Sequence, residues 1–334
     1  MLRLHPYKYH RPRELGAALE LLKANAGDAL PVAGGTDLVP NMKHGLFTPG
    51  HVVSLTAIEE LYGIEEQNGE LAIGACESLD AVSRHPLVLR RYPALATAAG
   101  IIAHPMIRTR GTIGGNLCLD TRCTYYNQTY FWRKALGFCL KKDGTVCHVV
   151  PGGTRCVAAH SADTPPVLMT LDAQVEVASA DGARTVPLSD FFGADGIWNT
   201  AREPHEIVTR VRIPKPAPGL RTSYQKLRER KSVDFPILSL ALAVELDDAA
   251  EVVRRMALVV SALGARPRTI ARLDELAVGE RITDEVIEAV AMQAHKQCHP
   301  LDNLIVDPEW RRAMVPVHVR RAFREVLSGG RAAA

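Results

Sequence analysis

Apolar residues recur along the chain at two spacings, and the spacing changes from segment to segment. Recurrence at three and four residues is typical of amphipathic helices, and alternation with a period of two is typical of half-buried strands. The first spacing predicts helices or helical turns over residues 14–23, 79–89, 95–102, 283–296 and 310–327. Alternation and short apolar runs predict strands over residues 29–36, 51–55, 64–75, 175–188, 206–214, 238–246 and 256–263.

Turn residues and prolines divide these elements. Asn68-Gly69 stands between two alternating runs and predicts a tight hairpin, and residues 180–183 predict a second one. Thr283 can cap the helix that follows it, and Pro316 predicts a kink in the last helix. The segment from Pro214 to Pro218 is the best candidate for a domain boundary. The elements therefore predict an α+β protein in two parts.

The composition limits the kinds of partner. The chain has 334 residues, of which 47% are hydrophobic and 23% charged, and its formal net charge is +3. This near-neutral balance gives no reason to expect nucleic acid or an anionic membrane as a partner. No apolar run approaches the roughly 20 residues of a membrane span, and the N-terminus lacks the apolar region of a secretory signal. We therefore expect a cytoplasmic protein without membrane contact.

Two glycine turns are candidate anion sites. Residues 32–38, VAGGTDL, follow a predicted strand, and residues 111–116 have the sequence GTIGGN. Adjacent glycines let several amide N–H groups converge on one point, which suits phosphate oxygens, and Thr36 can add a hydroxyl donor. Neither segment fits the dinucleotide fingerprint or the P-loop. Each alone is more simply a tight turn, but two in one domain suggest two loops that clamp one pyrophosphate.

The seven cysteines do not suggest a disulfide framework, because their number is odd and no export signal precedes them. Cys76 and Cys298 stand alone, whereas the other five lie between residues 118 and 156. Four of those five follow the spacing C-x15-C-x7-C-x8-C, which lacks the close pairs usual in zinc sites. The spacing alone leaves open a 4Fe–4S cluster, a zinc ion and reduced structural thiols.

The segment around these cysteines has more basic than acidic residues. Its acids are Asp120 and Asp143, and its basic residues are Arg122, Arg133, Lys134, Lys141, Lys142 and Arg155. Such a balance would suit an acidic electron carrier such as a ferredoxin. A solvated basic face is the simpler alternative.

The two glycine segments together carry a family resemblance. AGGTDL followed by R-x-x-GTIGGN resembles the FAD-binding domain of the xanthine dehydrogenase and carbon monoxide dehydrogenase family, the molybdenum hydroxylases. The resemblance continues from about Arg221 towards the C-terminus. It implies an FAD-binding domain of the vanillyl-alcohol oxidase type over residues 1–216, with two α/β subdomains at about 1–55 and 56–216, and a carbon monoxide dehydrogenase flavoprotein C-terminal-like α+β domain over residues 217–334.

The resemblance also implies roles for single residues. One set would wrap the FAD pyrophosphate from one side, namely Ala33, Gly34, Gly35, Thr36 and Asp37. A second set would do so from the other side, namely Thr112, Gly114, Gly115 and Asn116. Ile102 stands where the family has an apolar residue near the flavin, Asp163 where an acid contacts the FAD, and Lys226 where a lysine lies beside the isoalloxazine ring. Without the resemblance, Asp163 and Lys226 would be taken as surface charges.

Most members of the family pass directly from the GGN turn to the segment that contains Asp163, but here an insert at about residues 119–158 intervenes. The run NLCLDTRCTYYNQ and the cysteine spacing resemble one branch, the flavoprotein subunit of 4-hydroxybenzoyl-CoA reductase. That resemblance implies a 4Fe–4S cluster bound by Cys123, Cys139, Cys147 and Cys156. Cys118 would be a packed thiol near the flavin turn, and Cys76 and Cys298 would be buried or incidental.

The resemblance implies an electron relay with no catalytic residue of its own. Electrons would pass from a ferredoxin-like donor through the 4Fe–4S cluster and FAD to a 2Fe–2S small subunit and a molybdenum-cofactor (molybdopterin) large subunit, in a dimer of heterotrimers. The implied reaction is reductive dehydroxylation of 4-hydroxybenzoyl-CoA to benzoyl-CoA on the large subunit. The open alternatives are another hydroxylase of the family with the same insert, a stand-alone flavin oxidase and a zinc-stapled interaction module.

Overall fold

The computed structural model describes residues 2–247, 249 and 251–329. The outermost residues of the two predicted domains, residue 1 and residues 330–334, lie outside the described residues. Strands of the described chain form one parallel and two antiparallel sheets. The strands are β1 (Lys8–His10), β2 (Ala29–Val32), β3 (His51–Ser54), β4 (Ile64–Gln67), β5 (Glu70–Gly74), β6 (Gln174–Ser179), β7 (Gly182–Pro187), β8 (Ile207–Ile213), β9 (Leu220–Leu227), β10 (Leu238–Leu246), β11 (Val253–Ser261) and β12 (Arg268–Thr269).

Helices cover the sheets and connect their strands. They are α1 (Leu15–Ala24), α2 (Leu38–Lys43), α3 (Leu79–Arg84), α4 (Pro86–Arg91), α5 (Pro93–Gly100), α6 (Pro105–Arg108), α7 (Ile113–Leu117), α8 (Tyr130–Leu136), α9 (Thr164–Thr170), α10 (Leu188–Phe191), α11 (Asp274–Ala277), α12 (Asp284–Gln297) and α13 (Pro308–Leu327), with a 3-10 helix at Glu59–Leu61. Among the described residues, no helix is both long and apolar enough to cross a membrane.

The N-terminal sheet has the order β1-β3-β2, and its strands are parallel. The apolar face of α1 packs here, and its buried residues Ala18, Leu19 and Leu22 share a core with Val53 of β3. Because β2 runs directly into the first glycine turn, this small sheet fixes where the turn begins.

The second sheet has the order β4-β5-β8-β6-β7 and is antiparallel. Asn68 and Gly69 have φ values of 53° and 85°, as a two-residue hairpin with right-handed strand twist requires. Both predicted hairpins are confirmed, because β4 pairs with β5 and β6 pairs with β7. Helices α3, α5 and α9 contribute buried residues to the same core as this sheet.

The third sheet has the order β12-β11-β10-β9, and α12 and α13 share its core. Thr283 caps α12 as predicted, because its hydroxyl accepts a hydrogen bond from the amide of Val286 at 3.4 Å. Helix α13 continues through Pro316. The predicted boundary from Pro214 to Pro218 lies in the connection between β8 and β9. Two residues of the third sheet, Tyr224 and Ala241, are buried in the core of the second sheet.

The α+β class is confirmed, and the long predicted helices and strands agree with the structure within a few residues. The eight-residue strand β9 is missing from the predicted elements, and the other differences are short elements. Strand β1 has three residues and largely exposed side chains, and α6, α7 and α8 have four to seven residues. Periodicity does not detect elements of this length, because they complete at most two helical turns.

Candidate functional site

The first glycine turn presents free amide groups. It joins β2 to α2, and Gly35 has a φ of 70°, which is the left-handed region that glycine adopts without strain. The backbone hydrogen bonds of the described chain include none donated by the amides of Gly34, Gly35 and Thr36. Such a set of unpaired N–H groups on a partly exposed turn suits an anionic group such as a pyrophosphate.

The two glycine turns are in direct contact. A methyl group placed on Gly34 would lie 1.8 Å from the carbonyl oxygen of Arg110, and one placed on Gly111 would lie 3.3 Å from the hydroxyl oxygen of Thr36. Only glycine allows this approach of one backbone to the other. The structure therefore brings together the two segments that the sequence analysis expected to act on one ligand.

The second turn does not repeat the free amides of the first. The amides of Ile113 and Gly114 donate to the carbonyl oxygens of Glu77 and Ala75, at 3.0 and 2.9 Å. The amide of Gly115 donates to the hydroxyl of Thr112, which caps α7. The expectation that GTIGGN forms a second amide nest is therefore wrong for these three groups, because two of them join the turn to the segment that follows β5 and the third is used by the cap of α7.

Asn116 connects the second turn to the start of α9. Its side-chain oxygen accepts hydrogen bonds from the amide and the hydroxyl of Thr164, at 3.2 and 2.6 Å. Thr164 follows Asp163, which is the N-cap residue of α9. Asn116 therefore fixes the backbone next to the predicted acidic residue.

Asp163 and Lys226 form a buried ion pair between the two predicted domains. The distance from Lys226 Nζ to Asp163 Oδ1 is 2.9 Å, and the side chains are 2% and 4% exposed. The hydroxyl of Tyr224 donates to the same carboxylate oxygen at 2.6 Å. Burial raises the pKa of Asp163, and the ammonium of Lys226 opposes that rise. The alternative that these residues are surface charges is wrong.

Ile102 lies close to the end of β9 that carries Lys226. It is nearly buried in the core of the second sheet, and Arg228, two residues after Lys226, donates a hydrogen bond to the carbonyl oxygen of Ile101 at 3.0 Å. The predicted flavin residues thus fall into connected groups: the two turns in contact, Asn116 beside Asp163, and Asp163 paired with Lys226 near Ile102.

The four cysteines of the insert line one cavity. Cys123, Cys139, Cys147 and Cys156 are all buried, and Tyr125, Tyr126 and Lys141 line the same cavity. Within the described residues, no three ligating side chains are grouped closely enough for a single metal ion. Four thiols that line a shared space without such a grouping suit a multinuclear cluster better than one zinc ion.

The surroundings of the thiols bear on their ionisation. Burial, with the neighbouring thiols adding to it, raises the pKa of Cys123 to about 12. Burial also raises the pKa of Cys156, while the amide of Ala158 and the ammonium of Lys141 oppose that rise. Ligation of a metal requires thiolates, so a bound cation would have to supply most of the stabilisation of the charged sulfurs.

Lys141 is a buried cation at this cavity. Its side chain is 5% exposed, and its ammonium contacts Asp120 at 2.6 Å and the carbonyl oxygen of Gly196 at 2.6 Å. The ammonium also lies 4.6 Å from the centre of the Tyr126 ring. A cluster held by four thiolates is anionic, and a buried positive charge beside it would offset part of that charge.

The base of the insert is closed by protein contacts that do not involve the cysteine sulfurs. The amide of Arg122 donates to the carbonyl oxygen of Ala159 at 2.8 Å, and the amide of Ala159 donates back at 2.6 Å. The side chain of Arg122 pairs with Asp37 of the first glycine turn. The Asp37 carboxylate therefore faces the insert, which leaves its backbone for the predicted contact with the pyrophosphate.

Two further contacts attach the insert to the rest of the chain. Arg133 is 1% exposed, pairs with Asp143 at 3.3 Å and donates to the carbonyl oxygen of Gly45 at 3.3 Å. The side chain of Asn303 donates to the carbonyl oxygen of Val157 at 2.7 Å and accepts a hydrogen bond from Arg311. The insert is thus packed on both predicted domains.

These pairings change the interpretation of the basic insert. The structure pairs Arg122, Arg133, Lys141 and Lys142 with acidic residues, whereas Lys134 and Arg155 are exposed. Three of these side chains, those of Arg122, Arg133 and Lys141, are largely buried with their acidic partners and contribute little to a basic surface. The basic groups that the insert exposes are therefore reduced to Lys134, Arg155 and, in part, Lys142.

The remaining cysteines lie outside the cavity. Cys76 and Cys298 are buried, as expected, and burial raises the pKa of each to about 12. Cys118 follows α7 and packs against the core of the second sheet, which places it next to the second glycine turn.

Several residues that hold the site together were not predicted from the sequence. They are Tyr224, which contacts Asp163, and Arg122, Lys141 and Asn303, which fix the insert. Arg122 and Lys141 could have been found only by asking which acids balance the basic insert. Asn303 gives no signal in the sequence, because its partner in the insert, Val157, lies 146 residues away.

Comparison with known proteins identifies the family. The model described as the FAD binding domain in molybdopterin dehydrogenase matches residues 5–216, and the CO dehydrogenase flavoprotein C-terminal domain matches residues 222–326. The carbon monoxide dehydrogenase medium chain of Hydrogenophaga pseudoflava is 30% identical over 317 residues, which are 95% of this chain and 96% of that protein. The nicotinate dehydrogenase FAD-subunit of Eubacterium barkeri is 27% identical over 324 residues, 96% of each chain.

Solved structures agree with the sequence relatives. The carbon monoxide dehydrogenase from Hydrogenophaga pseudoflava that lacks the Mo-pyranopterin moiety matches this fold with a TM-score of 0.80 at 26% identity, over 98% of this chain and 99% of that chain. The family models cover most of the chain, and FAD is the cofactor that the first of them names. The chain is therefore an FAD-binding medium subunit of the molybdenum hydroxylase family, to which carbon monoxide dehydrogenase and xanthine dehydrogenase belong.

Proposed function

We propose that this chain is the electron-transfer flavoprotein subunit of a molybdenum-containing 4-hydroxybenzoyl-CoA reductase. It would pass electrons from a ferredoxin-like donor, by way of a 4Fe–4S cluster and FAD, to the 2Fe–2S and molybdenum subunits. The observation that carries the proposal is the set of four buried cysteines that line one cavity in an insert attached to the first glycine turn.

FAD exchanges two electrons and can return them singly, whereas an iron–sulfur cluster exchanges one, so the pair couples donors and acceptors of different stoichiometry. This chain's own part is to hold and orient the two groups. The proposed FAD contacts are Ala33, Gly34, Gly35, Thr36, Asp37, Ile102, Thr112, Gly114, Gly115, Asn116, Asp163 and Lys226. The free amides of the first turn support the pyrophosphate part of this set.

The proposed cluster ligands are Cys123, Cys139, Cys147 and Cys156. The common cavity supports a group that the four cysteines share, and the buried ammonium of Lys141 supports a negatively charged one. Among the described residues no three ligating side chains are grouped as a single ion requires, which disfavours zinc with its four donors at about 2.0–2.3 Å. No residue of this chain is proposed to touch the aromatic thioester, because the substrate would bind the large subunit.

We propose a complex with a molybdenum-cofactor large subunit and a 2Fe–2S small subunit, assembled as a dimer of heterotrimers in the cytoplasm. The relatives support the kind of partner, because two of them are named as the medium chain of carbon monoxide dehydrogenase. Their match extends over nearly the full length of both chains, which disfavours a stand-alone flavin oxidase. Nucleic acid and membranes are not proposed as partners.

The test is a reaction with the assembled complex. The chain would be co-expressed with the molybdenum and 2Fe–2S subunits from neighbouring genes, reduced with methyl viologen and given 4-hydroxybenzoyl-CoA. We expect benzoyl-CoA as product, with less product when Cys139→Ser is present. A complex that contains molybdenum, FAD and iron but forms no benzoyl-CoA would reject the proposed substrate.

A second candidate is the FAD subunit of another dehydrogenase of the family that carries the same insert. The relatives favour it, because they are named for carbon monoxide, nicotinate and other substrates. In that case the same complex would oxidise a substrate and reduce a dye acceptor. Sequencing the gene for the large subunit and comparing its pocket would separate the two candidates.

A further inference from the structure

We propose that Arg122 is a positioning residue that neutralises Asp37 so that the first glycine turn can hold the FAD pyrophosphate. The inference rests on the proposed placement of FAD at this turn. It concerns a charge contributed by the insert, rather than the cysteines that the insert carries.

The observation is the surroundings of the Asp37 carboxylate. Asp37 follows the free amides of the turn, and its side chain is 25% exposed. Arg122 pairs with it, Asn41 donates to it at 3.2 Å, and the amide of Asp120 lies 3.4 Å from its second oxygen. Within the described residues, Arg122 is the cation that pairs with this carboxylate.

The position of Arg122 is fixed from several sides. Its backbone pairs with Ala159 in both directions, and its guanidinium lies 4.6 Å from the centre of the Phe235 ring. Its side chain is 15% exposed. Because these contacts do not use the cysteines, the charge stays beside Asp37 whether or not a cluster is bound.

The charge matters because a pyrophosphate is itself anionic. A carboxylate directly after the phosphate-binding amides repels such a ligand, and the repulsion is strong where the site is partly shielded from water. Pairing with Arg122 removes most of this repulsion. The nearby Asp120 is paired with Lys141 in the same way, so the base of the insert presents two balanced acids to the turn.

The test is a double-mutant cycle on the affinity of the apoprotein for FAD, measured by flavin fluorescence. We expect Arg122→Gln to weaken FAD binding about tenfold, within the range of coupling between contacting residues. Asp37→Asn keeps the proposed backbone contact and removes the charge, so it should weaken FAD binding less than Arg122→Gln does. The double variant Arg122→Gln/Asp37→Asn should recover most of the affinity that Arg122→Gln loses. Arg122→Lys keeps the positive charge and should retain most of the wild-type affinity.

The double variant distinguishes an effect of the charge of Arg122 on Asp37 from an effect of Arg122 on the structure of the insert. If Arg122 only stabilises the structure of the insert, the double variant will bind FAD as weakly as Arg122→Gln or more weakly, and the inference is overturned. An unchanged affinity in Arg122→Gln overturns it as well. Failure of the proposed FAD site looks different, because the wild-type apoprotein would then not bind FAD at all. Iron content and melting temperature of each variant serve as the structural control.

Discussion

Lys226 donates a hydrogen bond to Asp163 Oδ2 at 3.0 Å and lies 2.9 Å from its Oδ1, although the two residues belong to different predicted domains. Asp163 stands at the start of α9, and Lys226 lies near the end of β9. Asn116 of the second glycine turn fixes the residue after Asp163. One buried charge pair therefore connects the segment beside the second glycine turn with the C-terminal sheet.

Replacement of Lys226 should show how much its pair with Asp163 contributes to the free energy of unfolding. Lys226→Met removes the cation that pairs with buried Asp163 and leaves the carboxylate its hydrogen bond from Tyr224, so we expect a loss of about 3 kcal/mol in the free energy of unfolding. Urea denaturation measures it. Lys23→Met, which breaks the exposed pair with Asp181, is the control and should leave the unfolding midpoint unchanged. Equal midpoints for the two variants would contradict the structural role of the buried pair.

The contact between the glycine turns predicts that Gly34 tolerates no side chain. Gly34→Ala would place a methyl group 1.8 Å from the carbonyl oxygen of Arg110, so the two turns must separate. We expect a loss of about 2 kcal/mol in stability and a lower FAD content after purification. Gly16→Ala in α1 meets nothing within 4 Å and should be neutral or stabilising. A Gly34→Ala protein with full FAD and unchanged stability would exclude the proposed contact.

Acidification should destabilise the protein through a buried histidine. Burial lowers the pKa of His160 to about 3, and its ring donates to or accepts from Ser261 at 3.0 Å. The unfolded chain binds a proton here below about pH 6.5 and the folded chain does not, so stability present above that pH is lost as the pH falls. The loss from His160 should reach about 2 kcal/mol at pH 5.

His318 acts in the same direction, because burial lowers its pKa to about 4. The contribution of His160 is therefore isolated by comparing unfolding at pH 7 and pH 5 in wild type and His160→Gln. The free energy of unfolding of His160→Gln should fall clearly less between pH 7 and pH 5 than that of the wild type. Identical pH dependence in both proteins would show that His160 is not buried in its neutral form.

The buried ammonium of Lys141 should tune the proposed cluster. Lys141→Gln keeps hydrogen-bonding capacity but removes a positive charge from the cavity that the four cysteines line. Reduction adds a negative charge, so we expect the reduction potential to fall, on the order of 50 mV, which is about 1 kcal/mol for one electron. Potentiometric titration monitored by paramagnetic resonance measures the shift. The exposed Lys134→Gln is the control, and a larger shift in the control would refute the role of Lys141.

Individual elements of the fold followed from the sequence where the apolar pattern was long or the turn and cap residues were distinctive. Strand β10 matches its predicted bounds because nine mostly apolar residues can only be buried, and the turn at Asn68-Gly69 matches because that pair adopts positive φ. Helix α12 begins at its predicted cap. Each of these is decided by residues that are neighbours in the chain.

The site depended more on contacts between distant segments. The sequence indicated which glycines and cysteines would act together, but not that the amides of Ile113 and Gly114 are already used by Glu77 and Ala75. It also gave no reason to expect Arg133 in the interior, where its guanidinium donates to the carbonyl oxygen of Gly45 and pairs with the carboxylate of Asp143. Such pairings depend on packing, which residue spacing alone does not encode.

The most direct test of the account is a count of cofactors in the protein purified and reconstituted without oxygen. We expect about one FAD and about four irons per chain, with a paramagnetic signal of a reduced 4Fe–4S cluster. Cys139→Ser should lose that signal and keep most of its FAD, because Arg122 and Ala159 close the base of the insert without the cysteines, and Cys298→Ser should keep both. A wild-type chain that holds FAD but binds zinc or no metal would contradict the claim that the insert is an electron-transfer site.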